Sequence, residues 1–289
     1  MKKILCIGEI LWDMLPSGKK AGGAPFNAAC HLKQLGQEVS FASRIGNDEL
    51  GNELRAVINH HGIGDNLIQI DERYPTGTVQ VSFDRQNEPS YEITLPAAWD
   101  QMQLTNVLLE AAEKADILVF GSLAQRQPAT ESVIRELCRL PLFRVFDINL
   151  RPPFIDRTKI ERSLNFADVL KLNVNELKQL SGWFGFSDDS QAAMSDLAGR
   201  FAIKMICLTR GAKGAALWKE GEWAEVDGIT VDVVDTVGSG DAFLAGLISA
   251  YVSGKNLPDI LSFANQVGAY VAGREGAIPD LDTETVRKW

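Results

Sequence analysis

Asp241 stands in "DTVGSGDAFLAG", residues 235 to 246, directly after Gly238, Ser239 and Gly240 and before a run of small and apolar residues at helical spacing. A side-chain-poor turn opening a helix gathers unpaired backbone N–H groups and the positive end of the helix dipole at one point, which is an anion site. A carboxylate there would repel a resting phosphate. It fits better as the acceptor of a proton from an attacking hydroxyl while the N–H groups hold a phosphoryl group in flight. An aspartate that only caps its helix is the other reading, and the turn alone leaves both open.

A second glycine cluster has different chemistry. In "AGGAPFNAACHLKQLG", Gly22 and Gly23 precede a helix with Pro25 in its first turn and Gly36 at its end. Asn27 adds an amide that both donates and accepts, which suits a neutral polyhydroxylated ligand better than a second phosphate. Asp13, in "GEILWDMLP", follows an apolar strand, where a carboxylate can accept from two adjacent hydroxyls. Trp12 beside it either covers a sugar face or packs as an ordinary aromatic. Two competing phosphate motifs fail: Phe243 stands where a GxGxxG turn needs glycine, and GxxxxGK[ST] is absent from the chain.

These residues need a scaffold, and the chain alternates strand-length apolar runs with helical patterns. "KKILCIGEI", "EVSFASRIG", "ADILVFGS", "RVFDINL", "VLKLN" and "KMICLTRG" read as buried strands; "PFNAACHLKQLG", "DELGNELRAVINHHG" and "TNVLLEAAEKA" read as helices. That order predicts an α/β fold, a mostly parallel sheet with helices on both faces. "TGTVQVSFDRQNEPSYEITL" breaks the rhythm with period-two alternation and a turn near Asn87-Glu88-Pro89, so it reads as a hairpin with one apolar face. Together with residues 10–21 it is expected to form a small lid sheet over a ligand or a second subunit, built from insertions at about 10–21 and 74–96 of one domain spanning 1–289. "GAALWKEGEWAEVDG" is expected to extend an edge of the main sheet. "GITVDVVD" shows strand alternation ahead of the helix that ends at Gly254, and "SGWFGFSDDSQ" reads as a loop.

Composition narrows the partners. With 29 Lys plus Arg against 38 Asp plus Glu, the net charge of -9 disfavours nucleic acid. Apolar runs fall short of the roughly 20 residues of a membrane helix, and "MKKILCIGEIL" lacks a signal-peptide h-region and cleavage site, so a cytoplasmic protein is expected. Cys6, Cys30, Cys138 and Cys207 sit apart among apolar neighbours and are expected to be buried thiols. His31, His60 and His61 show no metal-ligand spacing.

"AGGAPFN" near the start and "DTVGSGDAFLAG" near the end together resemble the two signatures of the PfkB family of carbohydrate kinases, related to ribokinase, in order and spacing across essentially the whole chain. The resemblance implies a ribokinase-like sheet with a small β lid, ATP-dependent phosphorylation of a sugar hydroxyl, Mg2+ at the phosphates, and dimers joined through the lids. It makes Asp241 the catalytic base and Gly238, Ser239 and Gly240 the anion hole. "KLNVNEL" resembles the family's NxxE element, implying that Asn173 and Glu176 order Mg2+ and phosphate through waters; a plain helix start is the alternative. "LTRGAKGA" resembles a TxGxxG turn, implying that Thr209, Gly211 and Gly214 line the ATP. "FANQVGAYVAGREGAIP" resembles the adenine-pocket segment, with Asn265 near the base, while the "GREGA" part, Asp235 and the Val237 carbonyl imply a monovalent-cation site for K+.

"GEILWDMLP", "GGAPFN" and "FDINLR" look most like the fructokinase branch, implying phosphorylation of fructose at O6 with Asp13, Gly22, Gly23 and Asn27 on the sugar. Arg151 leaves a 2-keto-3-deoxygluconate kinase open, because its guanidinium could pair with a substrate carboxylate. A non-catalytic sugar-binding regulator on the same scaffold is the reading from another class.

Overall fold

The computed structural model describes residues 1–16, 18–83 and 89–286. Thirteen strands are β1 (Lys3–Ile7), β2 (Leu11–Leu15), β3 (Gly18–Gly22), β4 (Glu38–Gly46), β5 (Ile68–Asp71), β6 (Gly77–Phe83), β7 (Pro89–Ile93), β8 (Ile117–Gly121), β9 (Phe143–Asp147), β10 (Val169–Asn173), β11 (Met205–Thr209), β12 (Ala215–Lys219) and β13 (Glu222–Val226). Ten α-helices are α1 (Ala24–Gln34), α2 (Glu49–His60), α3 (Asn106–Glu113), α4 (Pro128–Leu137), α5 (Arg157–Leu164), α6 (Val174–Phe184), α7 (Ser190–Phe201), α8 (Ser239–Val252), α9 (Leu257–Ala272) and α10 (Thr283–Val286).

Nine strands form one sheet in the order β13-β12-β11-β10-β9-β8-β1-β4-β5, parallel except for the edge pair β12 and β13. Period-two alternation sends Ile4 and Cys6 to a core shared with α1, α2, α8 and α9, and Leu5 and Ile7 to a second core under α3 to α7. Both faces are thus covered, as near-continuous apolar strands require. The edge hairpin is where the sequence pattern put it, and all four cysteines are buried and free.

A second sheet, ordered β3-β2-β6-β7, comes from two excursions, one after β1 and one after β5. Leu11 and Val79 pack with Leu15 and Ile93 in a small cluster on it. The turn expected at Asn87 and Glu88 lies outside the described residues. At its root, Thr94 follows β7, and its carbonyl accepts from Arg126 Nη2 at 2.6 Å. Arg126 also donates Nε to Asp100 Oδ1 at 2.7 Å and Nη2 to Asp100 Oδ2 at 2.8 Å, with both side chains essentially inaccessible. The guanidinium lies 4.0 Å from the Trp99 ring centroid and 4.6 Å from that of Phe154.

Two expectations need correction. "GITVDVVD" forms no strand: residues 228–235 run as an irregular segment with Val233 and Val234 exposed. The segment pairs with no described strand; Val234 donates its N–H to the Ala272 carbonyl at 2.9 Å, at the end of α9. "SGWFGFSDDSQ" is not all loop, because α6 continues through Ser181 to Phe184 and ends at left-handed Gly185, φ 74°. Trp183 and Phe184 pack on the core, and that burial extends the helix.

Candidate active site

The acceptor side is built after β1. Gly23, φ 116°, starts α1, and a Cβ there would meet the Glu9 carbonyl oxygen at 2.4 Å. A Cβ on Gly22 would fall 2.6 Å from Asp13 Oδ2, so glycine there lets the carboxylate lie across the turn. Asn27, one turn into α1, donates Nδ2 to Asp241 Oδ2 at 2.8 Å, so the two glycine clusters, 214 residues apart in sequence, meet through one hydrogen bond. Asn27 Oδ1 and Glu9 Oε2 are buried without hydrogen-bond partners among the described residues. Orphaned acceptors of this kind are what the hydroxyl donors of a polyhydroxylated ligand would satisfy.

On the transfer side, Gly238 caps α8 with φ 76°, and a Cβ on it would lie 2.5 Å from the Ala277 carbonyl oxygen. Ser239 Oγ donates to the Thr236 carbonyl at 2.8 Å. Gly240 and Asp241 occupy the first turn of α8, whose N–H groups the helical ladder itself cannot use. Burial pushes the Asp241 carboxyl up to about 6; Lys171 pulls it down, Asp147 pushes it up, and Asn27 and Arg151 pull it down. Burial likewise raises Asp13 to about 6 against the pull of Arg151, with Asp235 adding to the rise. Glu9 is raised to about 7, again by burial first. Arg151 is exposed and donates Nη1 to the Leu150 carbonyl at 3.1 Å, yet its charge acts on Glu9, Asp13 and Asp241 together. The structure therefore brings Asp13, Gly22, Gly23, Asn27, Arg151 and Asp241 to one place.

Asn173 and Glu176 form a reciprocal cap on α6: Asn173 Oδ1 accepts from Glu176 N at 3.0 Å, and Glu176 Oε2 accepts from Asn173 N at 2.8 Å. Glu176 Oε1 also accepts from Leu150 N at 2.9 Å, tying the end of β10 to the "DINLR" loop. Burial raises its carboxyl above the usual range. Thr209 ends β11; Gly211 and Gly214 have φ of 58° and 84°, and a Cβ on Gly214 would collide with the Val226 carbonyl oxygen. Asn265, on α9, donates to the Asp227 carbonyl at 2.8 Å. Asp235 bridges two segments, its Oδ1 accepting from Val237 N at 3.0 Å and its Oδ2 from Gly276 N at 3.1 Å. Trp12 packs in the core and donates Nε1 to the Leu50 carbonyl at 3.0 Å, which makes it an ordinary buried aromatic.

Three charged residues at the site escaped the sequence reading: Glu9, Asp147 and Lys171. A signal existed for one of them, since a lysine inside the apolar strand "VLKLN" demands a buried partner. Asp147 lies in the "FDINLR" stretch, of which only Arg151 drew a role.

Known proteins resemble this chain in sequence and in fold. Residues 1–284 match the family described as pfkB family carbohydrate kinase. A fructokinase of Klebsiella pneumoniae is 28% identical over 299 residues, covering 96% of each chain. A probable fructokinase-3 of Arabidopsis thaliana is 28% identical over 318 residues, 97% of this chain and 89% of that one. Among solved structures, a fructokinase from Xylella fastidiosa with bound ATP superposes with a TM-score of 0.89 at 25% identity, covering 99% of this chain and 97% of that one.

Proposed function

The chain belongs to the pfkB family of carbohydrate kinases, and from that membership we propose that it transfers the γ-phosphoryl group of ATP to the O6 hydroxyl of fructose. The observation that carries the assignment of roles is the Asn27 to Asp241 hydrogen bond, which joins a sugar-type site to an anion-hole turn. Asp13, Gly22, Gly23 and Asn27 hold the acceptor; Asp241 takes its proton; Gly238, Ser239 and Gly240 offer N–H groups to the phosphoryl in transit. Positioning of this kind supplies several kcal/mol, and base catalysis roughly a further 10²- to 10⁴-fold.

ATP supplies the transferred group and the leaving ADP. Thr209, Gly211, Gly214 and Asn265 would line it, and the collision that any Cβ on Gly214 would cause marks a turn closed tightly enough to present backbone to a phosphate or ribose. Glu176 keeps lone pairs beyond its two backbone contacts for Mg2+-bound waters, with Asn173 beside it. The Val237 carbonyl and Asp235, already joined to the "GREGA" segment, would hold K+. The second sheet acts as a lid on the one domain and as the element through which two copies join in a homodimer. Among the described residues no helix is long and apolar enough to cross a membrane; a cytoplasmic enzyme is consistent with that and with the acidic composition.

The test is ADP formation from ATP and Mg2+ with fructose, ribose, 2-keto-3-deoxygluconate or a purine nucleoside offered singly. Turnover on fructose is the expected result. Turnover on the keto-acid alone would move Arg151 to the substrate carboxylate, and turnover on none would overturn the kinase assignment in favour of a sugar-binding regulator.

A further inference from the structure

Lys171 lies in the middle of β10, where alternation places it on the α8 face together with Val169. Parallel register sets it opposite Asp147 of β9 and Cys207 of β11. Burying an ammonium in the centre of a sheet is costly unless it is paired, and Lys171 Nζ donates to both Asp147 oxygens at 2.9 Å. An apolar pair of similar volume would stabilise the fold as well or better, so stability alone does not account for the two charges.

The neighbourhood accounts for them. A Cβ on Gly240 would stand 3.5 Å from Lys171 Nζ and 3.9 Å from its Cε, and beyond its own turn it would meet no other heavy atom of the described residues within 4 Å, so the bare face of the turn opens onto the ammonium. Asp147 takes two of the three N–H donors of the lysine. We propose that Lys171 is a positioning residue for phosphoryl transfer: clamped by Asp147, its ammonium faces the Gly240 turn and keeps the neighbouring Asp241 carboxylate charged. The inference rests on Asp241 being the base.

The groups acting on Asp241 are Lys171 from β10, Asp147 from β9, Asn27 from α1, Arg151 after β9 and Glu9 after β1. Lys171 is the strongest of those that favour the anion. The ammonium is itself kept charged: burial pushes it down, but Asp147, Asp241 and Glu176 together raise it above its ordinary value.

Three variants test this. Lys171→Met is expected to lower kcat at least about tenfold, to leave KM and ATP affinity within about threefold, and to move the acidic limb of kcat/KM up by about one pH unit. Because that change strands a buried Asp147, the double variant Lys171→Met with Asp147→Leu supplies a folded comparison; its kcat falls likewise, and its limb still moves up, by less. Lys171→Arg keeps the charge and is expected to turn over about tenfold faster than the Met variant, with its limb near the wild-type position. A wild type that phosphorylates sugar, alongside Met and double variants with undiminished kcat and an unmoved limb, would overturn the inference alone. A wild type that phosphorylates no acceptor would overturn the kinase reading and this inference with it.

Discussion

Two buried ion pairs of this molecule look alike and do opposite work. Arg126 and Asp100, at the root of the second sheet, are matched fork to fork, held between two aromatic rings and linked onward to the Thr94 carbonyl. Lys171 and Asp147, at the centre of the main sheet, have the simpler geometry of a point charge straddled by a carboxylate, and the lysine borders the Gly240 turn beside Asp241, the proposed base. Guanidinium planarity suits the first task, fixing one strand end against the body of the protein. A compact ammonium suits the second, presenting charge to a pocket. A charge pair is therefore informative by what lies on its open side more than by its burial.

The predictions bear on that contrast. The largest effect is expected at the group the Lys171 pair serves: Asp241→Asn should keep the fold and ATP affinity while steady-state turnover drops at least about a hundredfold. Next, Arg126→Met strands a carboxylate that is wholly inaccessible, at a cost of about 3–5 kcal/mol in denaturant unfolding, while turnover per folded molecule stays within about threefold. If Arg126→Met instead spared stability and lowered kcat, the two pairs would have exchanged roles. Gly238→Ala forces φ 76° on a residue with a Cβ aimed at the Ala277 carbonyl; a loss of about 1–3 kcal/mol, together with weakened nucleotide binding by calorimetry, is expected. The smallest effect sets the baseline. Arg139 and Glu136 form an exposed pair on and just beyond α4, and Arg139→Ala should shift stability by no more than about 0.5 kcal/mol.

Much of the arrangement was legible because it rests on backbone requirements. Gly23 and Gly238 combine a positive φ with a place where a Cβ would strike a backbone carbonyl, and such demands leave a trace in residue type. The mostly parallel sheet with helices on both faces followed from apolar runs of strand length alternating with helical patterns. The Lys171 pair was harder to see, because Lys171 and Asp147 meet across neighbouring strands through register, which no local pattern encodes. Residues 228–235 misled for the converse reason: their alternation is local, whereas their backbone bonds to the end of α9 through Ala272 instead of to a strand. Glu176 shows how one residue serves two readings, since the reciprocal cap with Asn173 and the contact to Leu150 are compatible with either a structural carboxylate or one that also orders bound water.

The central claim is that Asp241 is the base, and the most direct test is the pH dependence of kcat/KM for wild type and Asp241→Asn measured side by side. Burial holds Asp241 at about 6, and a base must be ionised to act, so the wild-type value should fall tenfold per pH unit as pH drops below about 6. The residual activity of the Asn variant should lack that limb. A limb that persists unchanged in the Asn variant would contradict the account and assign the titration to Asp13 or Glu9, the other raised carboxyls at the site.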